Sequence, residues 1–375
     1  MRFAAPILAL ILLFAWPTSG AHAVNDSDIE TLISQQLMPV MLGEDNIGGV
    51  AVAVHIEGRT LFFNRGFADM TSRRPVTSDS LFNLGSVRKI LEAAILAQAA
   101  SRNELSLDAP VAKYVTELQR GGAIREVTLG QLATHTSGLL LPTDHPPWPT
   151  EHYKLADFIR VLNAWTPAPG EAPGRQRTYT HAGYVLLQLA LERRFKMPIG
   201  ELFAQRMLNP LGMTHTVLPE NPHKGSHPPL PGAVQGYGED GQPIGVPGNQ
   251  QGYYDFPGTG QLYSSARDLA ALLVACLDEG PADAELRAAL QRTQQPVFRV
   301  EPRDAQAMAW EVNGMHGPTI VDKPGGINNS SAYVGLVPAS KVGLIILVNR
   351  GSRSPYEVAR AVILPALARL AGSVQ

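Results

Sequence analysis

Apolar residues recur at helical spacing through residues 28–42, and that pattern predicts a helix. Residues 49–56 and 60–66 read instead as two strands, and Glu57-Gly58-Arg59 between them has the turn chemistry of a hairpin. A strand-like run ending at Leu84 gives way to an apolar helix with Ser86 in its first turn and an end near Arg102-Asn103. Leu107-Asp108-Ala109-Pro110 then opens a short turn into residues 111–115. From there to about residue 290 the pattern is mostly helical, including a run over 184–192, with long connections rich in Pro and Gly. Residues 332–337 and 342–349 are apolar and β-branched, and Pro338-Ala339-Ser340-Lys341 separates them as adjacent antiparallel strands. Ser354-Pro355 supplies a cap and a first-turn proline for a last helix through Leu370.

Strands at both ends with helices between them predict an α/β fold. One antiparallel sheet is formed by N- and C-terminal strands flanked by helices, and a mostly helical lobe is inserted. On this division residues 24–85 and 295–375 make the α/β lobe, and 86–294 the helical one. Two stretches, 142–149 and 218–260, have little periodicity; loops of such length either cover a site or are solvated excursions.

The first residues follow another pattern. Arg2 precedes an apolar run over 3–16, followed by Pro17, Thr18 and the small-residue triplet Ala21-His22-Ala23. This reads as a secretory signal peptide, residues 1–23, cut after Ala23 to release a chain into the periplasm. As an uncleaved anchor the run falls short of the roughly 20 residues a membrane span requires, so no stable membrane anchor is expected once the signal is removed.

With 375 residues, 45% hydrophobic and 17% charged, the chain has the composition of a folded globular protein with a large core. Its 31 Lys and Arg against 33 Asp and Glu give a net charge of −2, which offers no attraction for nucleic acid. The single cysteine, Cys276, lies among Val274, Ala275 and Leu277, where no base or cation would stabilise a thiolate; it reads as a small buried hydrophobe. His145, His152, His223 and His227 fall in or near the long loops without metal-ligand spacing, so neither a metal nor a cofactor is expected.

The chemistry is expected at Ser86-Val87-Arg88-Lys89. Residues three apart share a helix face, so the Lys89 amine can reach the Ser86 hydroxyl and exchange a proton with it. Ile90, Leu91, Ala94 and Ile95 would bury that turn, and a helix N-terminus offers N–H groups to a developing oxyanion. Alone, S-x-x-K also describes a capping serine followed by a surface lysine.

Two further motifs follow in order, Tyr179-Thr180-His181 after Gly174-Arg175-Gln176-Arg177, and Lys323-Pro324-Gly325-Gly326. Together with Thr134-His135-Thr136-Ser137-Gly138-Leu139, Pro210-Leu211-Gly212-Met213 and 262–269, they make the chain resemble the serine β-lactamase and penicillin-binding superfamily. The likeness is to class C β-lactamases and their carboxypeptidase and esterase relatives. The resemblance implies Ser86 as nucleophile, Lys89 as its proton partner, Tyr179 as second member of the relay and Lys323 beside the phenol and the substrate carboxylate. It implies an oxyanion hole from the backbone N–H groups of Ser86 and Gly326, and a substrate wall including His181, Pro324 and Gly325.

Relatives usually carry asparagine at the position of His181, and threonine or serine at that of Pro324. Where class C enzymes place an asparagine and an arginine against the carboxylate, Ser354 and Glu357 stand here; Arg350 or Arg353 would either compensate or be solvated charges. The expectation is a periplasmic serine hydrolase opening β-lactam rings through an acyl-enzyme, with an altered preference that extends to carbapenems as candidates. The partner is then a small β-lactam or a cell-wall peptide. The alternatives are a D-Ala-D-Ala carboxypeptidase, an esterase, and a penicillin-binding sensor that acylates without turnover.

Overall fold

The computed structural model describes residues 24–139, 154–219, 229–248, 261–315 and 317–372. The expected signal peptide, the 142–149 stretch, His145, His152, His223 and His227 lie outside them.

The hairpin forms around Glu57 and Gly58, which both take positive φ (50° and 72°), the backbone that a two-residue turn between twisted strands demands. It joins β1 (Gly49–Ile56) to β2 (Arg59–Asp69), a strand longer than the pattern predicts. The remaining strands of the sheet are β3 (Arg74–Pro75), β4 (Phe298–Glu301), β5 (Asp304–Gln306), β6 (Glu311–Asn313), β7 (Ile320–Ile327), β8 (Ser330–Val337) and β9 (Val342–Val348). Their order is β3-β2-β1-β9-β8-β7-β6-β5-β4, with antiparallel pairing throughout. The join between chain ends is β1 on β9, in the register Val50↔Val348 to His55↔Gly343.

Both faces of this sheet are covered, so its central strands read as continuous apolar runs rather than alternating ones. Along β1, Ala51 and Ala53 face one core, while Val50, Val52, Val54 and Ile56 face the other. The second core is closed by the helical segments over 26–42 and 356–372, each interrupted by a π-helical turn (Ile33–Leu37 and Ala359–Ile363). The last of these starts one residue later than the sequence predicts: Pro355 is its N-cap rather than its first residue, no side chain caps it, and Ser354 stands outside with its Oγ 3.5 Å from the Tyr356 nitrogen.

The first core takes the helical part of the chain: α1 (Lys89–Ser101), α2 (His181–Phe195), α3 (Ala266–Cys276) and α4 (Ala284–Thr293). Helix α1 is buried from Lys89 to Ala99, all round its circumference, as befits a helix at the centre of a large core. Cys276 is buried there too, and burial pushes its thiol up, away from reactivity. Of the 218–260 stretch, residues 236–237 and 243–244 pair as a two-stranded ribbon. No helix of the described residues is long and apolar enough to cross a membrane.

Candidate active site

Ser86 does not begin an α-helix. Gly85–Arg88 is a 3-10 turn that runs into α1, and Gly85 enters it at φ 50°. In a 3-10 turn residues three apart eclipse one another, which brings Lys89 more directly over Ser86 than an α-turn would. The Lys89 Nζ donates to the Ser86 Oγ at 3.0 Å. Lys89 is completely buried, and its Nζ also lies 5.4 Å from the centre of the Tyr184 ring and 5.6 Å from that of Tyr179. A cation gains from such ring faces. The next residue back, Arg88, ties the turn to its own helix through Glu92 (Nε to Oε1, 3.0 Å) and to α2 through Gln188.

Tyr179 comes from the extended segment that precedes α2, which Thr180 caps by accepting from the Ala182 N–H at 3.1 Å. Its hydroxyl stands 2.6 Å from the Ser86 Oγ, close enough for one proton to be shared between the two oxygens. Alternation along an extended chain sends i and i+2 to one side. Accordingly the Arg177 Cζ lies 6.0 Å from the centre of the Tyr179 ring and the His181 ring meets it edge-on at 5.6 Å.

The third piece is β7. Its outer neighbour β6 pairs only with Ile320, Val321 and Asp322, so from Lys323 onward that edge is open. This is where Pro324 sits, half-buried, without costing the sheet a hydrogen bond to β6. The Lys323 Nζ is 4.7 Å from the centre of the Tyr179 ring.

Gly325 departs from its expected place in the substrate wall. A methyl group there would collide with the Leu84 carbonyl oxygen and stand 3.0 Å and 3.1 Å from the amide nitrogens of Val87 and Ser86. Its bare Cα therefore faces the serine turn and lets strand and turn pack in contact. Gly326 faces open space, with nothing within 4 Å of a Cβ placed on it. Its nitrogen lies 2.9 Å from where a Cβ on Gly85 would stand, so its amide borders the same turn as that of Ser86.

Lys323 is buried, and burial holds its ammonium below the usual lysine range; Tyr179 and Glu311 oppose that shift, while Lys89 and Arg177 add to it. Glu311 anchors a cluster behind it. The Glu311 carboxylate accepts from Arg177 (3.2 Å) and Arg360 (2.9 Å), and Arg360 also donates twice to Asp322, at 2.5 Å each. Tyr333 donates to Asp322 as well, at 2.6 Å. Burial would raise the Glu311 carboxyl, but the charges of Lys323, Arg360 and Arg177 outweigh it and leave the group below its ordinary range.

The structure thus brings Ser86, Lys89, Tyr179, His181 and Lys323 to one place, with Gly326 at its open border. Arg350 is not there as a solvated charge: it is buried, with both oxygens of Asp45 at 2.7 Å and the Glu239 carbonyl at 2.8 Å. Arg353 lies over Gly43, and Ser354 and Glu357 are exposed. Among the described residues no group of His, Cys, Asp or Glu could hold a metal. Sequence reasoning missed the Arg177, Glu311 and Arg360 cluster. For Arg177 a signal existed, its two-residue spacing from Tyr179; Glu311 and Arg360 carry none, since their partners are distant in sequence.

A family model described as Beta-lactamase matches residues 33–368. Among curated proteins, a Beta-lactamase of Pseudomonas fluorescens is 28% identical over 357 residues, covering 86% of this chain and 94% of that protein. Among solved structures, the D-alanine carboxypeptidase AmpC from Burkholderia cenocepacia superposes with a TM-score of 0.76 at 27% identity, covering 93% of this chain and 100% of that one. A class C beta-lactamase in complex with cefoxitin superposes with a TM-score of 0.74 at 25% identity, covering 93% and 99%.

Proposed function

The chain belongs to the Beta-lactamase family as a class C-like serine hydrolase, and on that premise we propose that it hydrolyses the β-lactam amide through an acyl-enzyme on Ser86. The observation that carries this reading is the Ser86 Oγ held 2.6 Å from the Tyr179 hydroxyl and 3.0 Å from the Lys89 Nζ.

The substrate carbonyl enters at the open border of the site, with its oxygen towards the N–H groups of Ser86 and Gly326. As the Ser86 Oγ attacks, its proton passes to the Tyr179 oxygen or the Lys89 amine, and the oxyanion is held by the two amides. Collapse of the tetrahedral intermediate breaks the ring C–N bond, and the Tyr179 hydroxyl delivers its proton to the leaving nitrogen. Water then attacks the ester, its proton goes to the same relay, and Ser86 regains its hydrogen. The Lys323 ammonium, beside the phenol ring, attracts the substrate carboxylate. His181 and Pro324 stand where relatives carry an amide and a hydroxyl, so the preference among β-lactams is expected to differ from that of an ordinary cephalosporinase, with carbapenems among the substrates to compare.

A D-alanine carboxypeptidase is the second reading, favoured by the likeness to the Burkholderia enzyme. The leader-like pattern over 1–23 supports work in the periplasm; periplasmic extraction followed by N-terminal sequencing should find Val24 first.

The deciding experiment is steady-state hydrolysis of a penicillin, a cephalosporin, a carbapenem, a simple ester and a D-Ala-D-Ala peptide, with intact-mass analysis of the protein. Multiple turnovers of a β-lactam with an adduct lost in Ser86→Ala support the proposal. Turnover of the peptide alone selects the carboxypeptidase, and of the ester alone an esterase. A stable adduct without turnover selects a sensor, and no adduct and no product with any compound ends the hydrolase reading of Ser86.

A further inference from the structure

His135 is fully buried, lies next to the proposed relay and has no part in the chemistry described above. Its ring lies against that of Tyr179, with centroids 4.4 Å apart and planes tilted by 34°. The Tyr184 ring is a second neighbour, with centroids 5.2 Å apart. The contacts are not confined to the ring. The His135 carbonyl oxygen accepts from the Thr178 N–H at 2.8 Å, and its Nδ1 accepts from the Thr180 N–H at 3.3 Å. One residue thus binds the backbone on both sides of Tyr179 and also packs against the phenol ring between them.

We infer that His135 is the positioning residue for Tyr179, a clamp that fixes where the phenol oxygen stands relative to Ser86. The inference rests on the hydrolase reading only in what it says of rate; what it says of geometry stands apart.

Three features support a clamp rather than ordinary core packing. The first is backbone conformation: His135 has φ 55°, in the left-handed region that costs an L-residue free energy and persists only where surroundings over-determine it. Those surroundings are in place. Thr128 and Gln131 form a capping box at the start of the short helix Leu129–Ala133, the Thr136 N–H returns to the Gln131 carbonyl at 3.0 Å, and the Gly174 N–H reaches the Thr136 carbonyl at 2.7 Å.

The second is tautomer. With Nδ1 accepting, the ring proton belongs on Nε2, which has no hydrogen-bond partner among the described residues. A core histidine under no other demand would satisfy both nitrogens. The third is charge. Burial and the neighbouring Lys323, Lys89, Arg177 and His181 push the imidazole well below its usual range, so the ring stays neutral and Nδ1 stays an acceptor across the working pH range.

Two substitutions divide the clamp. His135→Phe keeps a ring against Tyr179 and removes the acceptor; His135→Asn keeps an acceptor near the Nδ1 position, tolerates positive φ and removes the ring. Folding is checked by circular dichroism. In protein carrying a carbon-13 label at tyrosine Cζ, the Tyr179 resonance is assigned by its loss in Tyr179→Phe.

The Phe variant is expected to move or broaden the Tyr179 resonance with that of Tyr333 unchanged. Its kcat should fall about 10- to 100-fold, the scale of a misplaced reacting group, with KM within about threefold. The Asn variant should move the same resonance by loss of the stacked ring and recover at least part of kcat. A folded Phe variant with wild-type kcat and an unmoved Tyr179 resonance overturns the inference. If the Phe variant does not fold, the Asn variant decides, and an unmoved Tyr179 resonance there overturns it equally. If wild-type protein turns over no substrate, the hydrolase reading fails while the resonance test still decides the clamp.

Discussion

Adjacent glycines at 325 and 326 are expected to respond in opposite ways to one added methyl group, and that contrast tests the packing of β7 on the serine turn. Neither residue has positive φ, so alanine meets no backbone penalty at either, and only space decides. At 325 the new Cβ would collide with the Leu84 carbonyl oxygen and crowd the amide nitrogens of Val87 and Ser86 at 3.0 and 3.1 Å. All are backbone atoms that cannot rotate aside, so strand and turn must separate. Overpacking of this kind costs about 3 kcal/mol. With an unfolding entropy of about 2.1 cal/mol/K per residue over about 350 residues, that is a fall of about 4 °C in Tm. Separation also carries the Ser86 amide away from that of Gly326, and a displacement approaching 1 Å is expected to lower kcat about 100-fold. At 326 nothing lies within 4 Å of the added carbon, so Gly326→Ala should keep the wild-type Tm. The measurements are thermal unfolding by circular dichroism and kcat on the best substrate. Equal Tm values for the two variants, or a Gly325→Ala protein with wild-type kcat, would refute the reasoning.

Glu311→Gln removes a carboxylate that favours the protonated Lys323, whose pKa burial already lowers. The alkaline limb of kcat/KM, set by loss of the Lys323 charge, should therefore move to lower pH, and a pH–rate profile with an unmoved limb contradicts this role. For Glu311 itself the sign is the reverse of a buried acid's: its pKa lies below the ordinary value, so its contribution to stability is complete above about pH 4.3 and is lost as pH falls through its lower folded-state pKa. The urea midpoint of the Gln variant should accordingly vary less with pH in that acid window. Arg360→Leu leaves Asp322 buried with only the Tyr333 hydroxyl and should destabilise by about 3–5 kcal/mol, read as a lower urea midpoint; the double variant with Asp322→Asn should recover part of the loss, and no recovery would place the damage elsewhere. His181→Asn puts back the amide that relatives carry beside the Tyr179 ring, so the deacylation rate should change about tenfold, and an unchanged rate would remove His181 from that step.

Much of the fold was legible because its signals are local. Glu57-Gly58 declares the hairpin through positive φ, and the apolar runs over 332–337 and 342–348 declare strands because both faces of the sheet are buried. Ser86, Lys89 and Tyr179 were legible as motifs. What escaped depends on distant partners. Strands β4 to β6 are short and partly exposed, so their residues carry little alternation; β6 becomes a strand by pairing with β7. The 3-10 turn at Ser86 packs against Gly325, more than two hundred residues away, a neighbour that no helical periodicity reports. The resemblance implies a place for Gly325 in the substrate wall, and only the fold shows that what approaches it is the serine turn. Arg350, for which the sequence leaves open a compensating or a solvated charge, is buried because Asp45 and the Glu239 carbonyl come to it from two other parts of the chain.

The pairing of β1 with β9 sets when a newly made chain can act. Within this sheet the last strand in sequence, β9, lies fourth of nine, and until residue 348 has emerged β1 lacks its inner neighbour and β8 one of its two. Contacts of such sequence separation make for slow folding. The nucleophile helix, complete by Ser101, must likewise wait for β7, more than two hundred residues later, before its serine turn has the strand it packs against.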